Sequence, residues 1–96
     1  MALWERVRSE LEQAGRVAQG AIDEGRLRLE IFRARKRADR AAQQLGWLYY
    51  RARAGGTEPD AEQIAKIAGE IAVHDAEAKR LEEQIAEITR QAKATP

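Results

Sequence analysis

His74 is the only histidine in this 96-residue chain, and it carries the side chain with the most versatile chemistry. Imidazole titrates near neutral pH and binds metal ions, so a histidine inside a helical bundle is a candidate pH switch or ligand. A di-iron site needs the spacing Glu-x-x-His, whereas Glu70 lies four residues before His74. A single polar residue in a helix seam more often fixes the register. We therefore interpret His74 as register-fixing, keep the switch as a candidate role, and expect no metal or other cofactor.

A basic run in the first half of the chain is the second group with a chemical interpretation. Clustered Lys and Arg bind phosphate groups of nucleic acid or of an anionic membrane surface. The pI of about 8.1 is low for a dedicated nucleic-acid-binding domain, and no known reading motif occurs. We favour a solvated, partly ion-paired face and keep anion binding as the alternative. The candidate anion-binding residues are Arg26, Arg33, Lys36 and Arg40.

Other classes of function find little support in the composition. The chain has one Ser, one His and no Cys, and its spaced glycines do not match a phosphate-binding loop. We therefore expect no enzyme. No apolar run approaches the ~18 residues of a membrane span. Charges begin at Glu5, unlike in a signal peptide, so we expect a cytoplasmic protein.

The element that must position His74 is a predicted helix over residues 61–93. Its apolar residues alternate between spacings of three and four over four heptads, which is typical of a coiled-coil seam. The seam consists of Ile64, Ile67, Ile71, His74, Ala78, Leu81, Ile85, Ile88 and Ala92.

A second predicted helix, over residues 26–54, precedes a turn at residues 55–60. The turn has glycines to end one helix and Pro59 to begin the next, and it is short, so the helices should form an antiparallel hairpin. With the tip at Gly56, residues whose numbers add up to about 112 lie opposite each other. The seam of this arm consists of Leu27, Ile31, Ala34, Ala38, Ala41, Leu45, Leu48 and Ala52.

The charges of the two arms are complementary. Residues 1–55 carry twelve Lys or Arg and seven Asp or Glu, whereas residues 56–96 carry five and nine. Opposite charges beside a seam select orientation and partner. In the register above, we expect Arg28 near Glu82, Arg35 near Asp75, and Arg37 near Glu77.

An amphipathic helix over residues 1–22 opens the chain. Its stripe is one residue out of step with the next arm, which corresponds to about 100° of helix rotation. We expect a bend, a break or a frayed turn between Gly20 and Gly25; the alternative is one continuous helix that presents this stripe to a different neighbour. The segment folds back onto the hairpin or pairs with another chain. The stripe consists of Trp4, Val7, Leu11, Ala14, Ala18 and Ala21.

Apolar residues outside the hairpin seam predict self-association. Two helices alone leave them in water, and exposed apolar stripes of this extent mark interfaces. We expect an all-α hairpin completed to a helical bundle, most simply a homodimer, that acts as a non-enzymatic scaffold or adaptor and also contacts another protein. The predicted interface residues are Trp4, Val7, Leu11, Leu29, Phe32, Trp47, Tyr50, Ala65, Ala68, Ala72 and Ile88.

Two stretches, residues 27–31 with the sequence LRLEI and residues 45–50 with the sequence LGWLYY, carry a family resemblance. Together with an early aromatic, a Gly/Glu/Pro turn and an Ile/Leu heptad helix, the chain resembles the N-terminal helical region of small bacterial proteins that end in a zinc ribbon. The resemblance implies the helical fold and a bacterial source. The Cys pairs of that family are missing, so no zinc ligand is implied, and no activity is carried over.

Overall fold

A computed structural model of the protein describes residues 2–94 as two long helices joined by a turn. Helix α1 spans Ala2–Ala54 and helix α2 spans Ala61–Ala94, with no strand between them. The helices pack against each other as an antiparallel rod that measures 82 × 17 × 15 Å. The all-α helical hairpin predicted from the sequence is therefore confirmed.

The end of α1 is closed by a glycine turn. Gly56 has a φ of +68°, a left-handed conformation that glycine adopts without steric cost. The amide of Thr57 donates a hydrogen bond to the carbonyl of Ala52 at 2.9 Å. The amide of Gly56 donates a hydrogen bond to the carbonyl of Arg53 at 3.2 Å. These two bonds form a Schellman motif, which satisfies carbonyls that the helix end leaves free.

Asp60 caps the beginning of α2. Its side-chain Oδ1 accepts a hydrogen bond from the amide of Glu62 at 2.9 Å, and its carbonyl accepts the first helical bond from Ile64 at 3.0 Å. Asp60 is thus the N-cap residue of α2, and it satisfies a free amide of the first helical turn.

The two predicted seams form the contact between the helices. All eight predicted seam residues of α1, and all but Ala92 of α2, are buried or half-buried. The innermost positions are small: Ala34 and Ala78 are both 0% exposed. Small side chains on both sides let the two helices approach closely. The buried residues are Ala34, Ala41, Ala78 and Leu81.

Helix α1 runs through the glycines without interruption. The bend, break or frayed turn expected between Gly20 and Gly25 is therefore wrong: one continuous helix occurs, and the N-terminal segment does not fold back onto the hairpin. An added Cβ at Gly20 or Gly25 would meet nothing within 4 Å, so these glycines are not required by close packing. Residue 1 of the predicted N-terminal helix lies outside the described residues.

Interhelical ion pairs fix the register, and they correct the ion-pair partner in two of the three expected cases. Arg37 pairs with Glu77 at 3.3 Å, as expected. Arg35 pairs with Glu82, whose hydrogen bond raises the pKa of the guanidinium above its ordinary value. As expected, Asp75 is close enough to Arg35 to raise its pKa too, but it does not pair with it. Asp75 pairs instead with Lys79 of its own helix at 3.0 Å.

Arg28 also pairs within its own helix, with Glu24 at 2.7 Å, rather than with Glu82. The physical reason for both corrections is reach. A long arginine on a helix edge contacts any carboxylate within several residues of its opposite position, and neighbours at i and i+4 on one helix compete for it.

Candidate interaction site

The first third of α1 extends beyond the end of α2. In the antiparallel register, the last turn of α2 lies alongside roughly residues 18–20 of α1. Every residue from Ala2 to Gln19 is exposed, and the first half-buried residue is Gly20. We call residues 2–19 the overhang; at 1.5 Å per residue it is ~27 Å long. It is a single helix that no other described part of the chain covers.

The overhang presents large apolar side chains to solvent. Trp4 is 70% exposed and Leu11 is 68% exposed, with Val7 between them on the same stripe. With Trp4 as position a of a heptad, Val7 and Leu11 occupy d and a. The three other large apolar residues of this stretch, Leu3, Val17 and Ile22, flank the stripe at g, g and e.

The opposite side of the same segment is polar. A helix that is apolar along one stripe and polar along the other is built to pack against one neighbour. No large apolar residue falls at positions b, c or f. Those positions hold Glu5, Arg6, Ser9, Glu12, Gln13, Arg16, Gln19, Gly20 and Asp23.

A second group of predicted interface residues lies on the outer face of α1, opposite α2. Leu29, Phe32, Trp47 and Tyr50 are all exposed there. The rings of Trp47 and Tyr50 pack edge to face, with centroids 5.6 Å apart. Trp4 and Trp47 lie ~65 Å apart along one helix, so the predicted interface residues do not form a single patch.

The candidate anion-binding residues occupy the middle of that outer face. Arg26, Arg33, Lys36 and Arg40 are exposed, and the last three line a shallow depression with Phe32 and Arg37. Arg33 pairs with Glu30 at 3.0 Å, and the Lys36 ammonium lies 5.4 Å from the centre of the Phe32 ring. We call these four residues the basic cluster. It places positive charge between the two apolar ends of α1.

The predicted α2 residues are divided between two environments. Ala65, Ala68 and Ala72 are exposed on a face of α2 outside the seam, whereas Ile88 is half-buried within the seam. Ile88 therefore contributes to the hairpin itself.

Five large apolar residues that are exposed were not among the predicted interface residues: Leu3, Val17, Ile22, Tyr49 and Val73. A strict three-and-four stripe omits Val17 and Ile22, because they flank it at positions g and e. Counting flanking positions as part of the apolar stripe would have identified both. Val73 directly follows Ala72, and no periodic signal marks it.

His74 lies half-buried in the seam, as its spacing predicts. Its Nδ1 atom is buried without a hydrogen-bond partner and lies 3.8 Å from Oε2 of Glu77. The same carboxylate forms an ion pair with Arg37 of α1. The His74 imidazole therefore faces a carboxylate, that of Glu77, which already pairs with Arg37. The role of His74 as a switch stays a prediction.

Comparisons leave the family open. The chain matches no protein-family model, no curated protein and no solved structure. The resemblance to zinc-ribbon-tailed proteins therefore stays a prediction. Among residues 2–94, no three His, Asp or Glu side chains group as metal ligands. Neither helix in this described range contains an apolar stretch that is long enough to cross a bilayer.

Proposed function

We propose that the protein is a non-enzymatic coiled-coil scaffold or adaptor that acts through self-association and contacts with other proteins. The observation that carries this proposal is the imbalance between the core and the surface. Of the described residues, four hydrophobic ones are buried and three of these are alanines, whereas twelve large hydrophobic side chains are exposed. A surface of this kind gains stability by covering its apolar stripes with another chain.

Self-association is tested by the mass of the full chain in solution. Sedimentation equilibrium between roughly 1 and 100 μM should give a dimer that dissociates on dilution, and the thermal midpoint should rise with concentration by mass action. Circular dichroism on the same samples follows folding. A cooperatively folded monomer throughout this range, with a midpoint independent of concentration, overturns the proposal.

The second candidate function is binding to an anionic surface through the basic cluster. It is favoured by three exposed bases that line one depression on the outer face of α1, beside the exposed ring of Phe32. Phosphates of nucleic acid and of anionic lipid share the chemistry that such a cluster recognises.

Salt titration tests this second candidate. Fluorescence anisotropy with duplex DNA and with single-stranded RNA, and co-sedimentation with vesicles containing phosphatidylserine, distinguish the two sources of phosphate. Binding should weaken steeply between 50 and 200 mM salt and be lost in K36E/R40E, with R80E on α2 as the matched control. No salt-dependent binding to any of these probes excludes the candidate.

The cytoplasm is the proposed compartment. The first helix carries charges from Glu5 onward on its polar face, so it has the composition of an amphipathic helix. Fractionation of cells that express a tagged full chain tests this placement, and recovery in a secreted fraction would contradict it.

A further inference from the structure

We infer that the partner of the overhang is the overhang of a second copy, packed antiparallel so that residues whose numbers add up to about 25 lie opposite each other. This inference rests on the proposed self-association and specifies the surface, the orientation and the register. It turns two 82 Å hairpins into one longer rod joined at the overhangs.

The sizes of the side chains along the stripe favour an antiparallel second copy. The large residues Trp4, Val7 and Leu11 occupy its beginning, and alanines occupy its end. An antiparallel second copy sets each large residue against a small one in every layer. The layers are Trp4 with Ala21, Val7 with Ala18, and Leu11 with Ala14, each occurring twice by symmetry. A parallel pair would instead stack Trp4 on Trp4 and Ala18 on Ala18.

The charges of the overhang also favour a second copy as its partner. The overhang carries three acidic and three basic residues, so two copies meet without net repulsion. The two flanking charges at positions e and g, Arg8 and Glu10, fall opposite Gly15 and Val17 in this register. No like charges face each other across the pair, whereas a strongly acidic or strongly basic partner would face overhang charges of its own sign.

The basic cluster explains why pairing stops at the overhang. Beyond Ile22, the a and d positions hold Gly25, Arg28, Phe32 and Arg35, so the apolar stripe ends there, and the basic cluster lies beside them on the outer face of α1. Two hairpins packed side by side along the whole outer face would bring these bases of both copies together. In the overhang register, the Arg26 residues of the two copies lie ~40 Å apart along the axis, several times the ~10 Å over which salt screens charge.

The apolar area that the pairing covers is large enough to stabilise a dimer. Leu3, Trp4, Val7, Leu11, Val17 and Ile22 all lie at a, d, e or g positions and are exposed in the single chain. Covering them on two copies removes on the order of 1,000 Å² of apolar surface from water, which reaches the lower range of stable protein interfaces. A lone helix of this length that contains Gly15 is only marginally stable, so the pairing also stabilises the overhang.

Solution mass and shape together test the inference. Overlap of residues 2–23 shortens two hairpins laid end to end by ~33 Å, so the dimer should reach roughly 130 Å. Small-angle X-ray scattering on the full chain at a concentration where sedimentation gives a dimer measures this dimension. A dimer with a maximum near 82 Å, the length of one hairpin, overturns the overhang pairing and leaves self-association intact. A chain that stays monomeric overturns both the overhang pairing and the proposed self-association.

Engineered cysteines test the register, because the chain contains no Cys. V7C and A18C should form a disulfide-linked dimer when mixed under oxidising conditions, because Val7 lies opposite Ala18 of the second copy. Each variant alone should stay uncrosslinked, since its two cysteines lie ~16 Å apart along the axis. Efficient crosslinking of V7C with itself would demonstrate parallel pairing and overturn the inference.

Substitution separates the overhang from the other apolar surfaces. L11E should weaken dimerisation by about 100-fold, because it sets a charge in an apolar layer. Y50E, on the outer face outside the overlap, is the matched control and should leave the dissociation constant within about threefold. Both substitutions lie outside the hairpin seam, so circular dichroism should show that α2 and the second half of α1 stay helical. The reverse ranking of the two variants overturns the inference.

Discussion

The guanidinium Nη2 of Arg37 on α1 lies 3.3 Å from both carboxylate oxygens of Glu77 on α2. The two side chains are only 38% and 31% exposed, so this is the least exposed of the ion pairs formed by Lys or Arg among the described residues. The same carboxylate also faces Nδ1 of His74 at 3.8 Å. Glu77 thus contacts both the arginine that pairs with it across the seam and the one histidine within the seam.

The Arg37–Glu77 pair should contribute a measurable coupling free energy. A double-mutant cycle with R37Q and E77Q, read from urea unfolding, should give about 0.5–1 kcal/mol at low salt and less at 1 M salt. The pair Lys79–Asp75 within α2 is the control, with an expected coupling of about 0.3–0.5 kcal/mol. A zero coupling at low salt would mean that Arg37 and Glu77 do not set the register.

Enlarging Ala78 should destabilise the hairpin. Ala78 is 0% exposed, so A78L forces the helices apart or the leucine into a strained rotamer, at a cost of about 1–3 kcal/mol. Ala86 is exposed on the same helix, and A86L should change the free energy of unfolding by less than ~0.5 kcal/mol. Equal stability of A78L and the parent chain would contradict the close approach of the helices at this layer.

Replacing His74 by leucine should stabilise the hairpin. The Nδ1 atom of His74 is buried without a hydrogen bond, and removing such a group avoids its desolvation cost. H74L should raise the free energy of unfolding by about 1 kcal/mol, measured at pH 8 by urea denaturation. H74N keeps a polar group in the seam and should show no gain. A less stable H74L would show that the contact with Glu77 outweighs the cost of burial.

Alanine in place of Gly25 should strengthen α1. The position is helical, and an added Cβ meets nothing within 4 Å, so G25A should raise stability by about 0.5–1 kcal/mol. Thermal unfolding followed by circular dichroism at 222 nm measures the change.

The matched glycine control is in the turn. Gly56 has a φ of +68°, so G56A forces a left-handed conformation on alanine and should lower stability by about 1 kcal/mol or more. If G25A also destabilised, the helix would not run through this glycine.

Most of the hairpin could be predicted because its signals are local. Apolar spacing identifies the seams, since residues three and four apart share one face of a helix. Gly56 and Asp60 mark the turn, because only certain residues close helix ends at low cost. The predicted interface residues Leu29, Phe32, Trp47 and Tyr50 followed from the same periodicity, and the structure places them on the exposed outer face.

The ion pairs were harder to predict for a physical reason. Each arginine reaches several carboxylates across the seam or along its own helix, and these choices differ by less than ~1 kcal/mol. Arg37 had one suitable acid nearby and was assigned correctly, whereas Arg28 and Arg35 had competing ones.

By itself, the sequence determined the two helices of the hairpin, their antiparallel arrangement and the seam residues that pack between them. These features could be predicted because periodicity and cap chemistry act over a few residues. Only the tertiary structure decided that α1 continues through Gly20 and Gly25 and leaves residues 2–19 uncovered. A glycine costs a helix up to ~1 kcal/mol, which does not decide alone whether the helix breaks. Whether α1 continues depends on helix propagation from both sides and on where α2 ends. Neither can be predicted from the residues around the glycines.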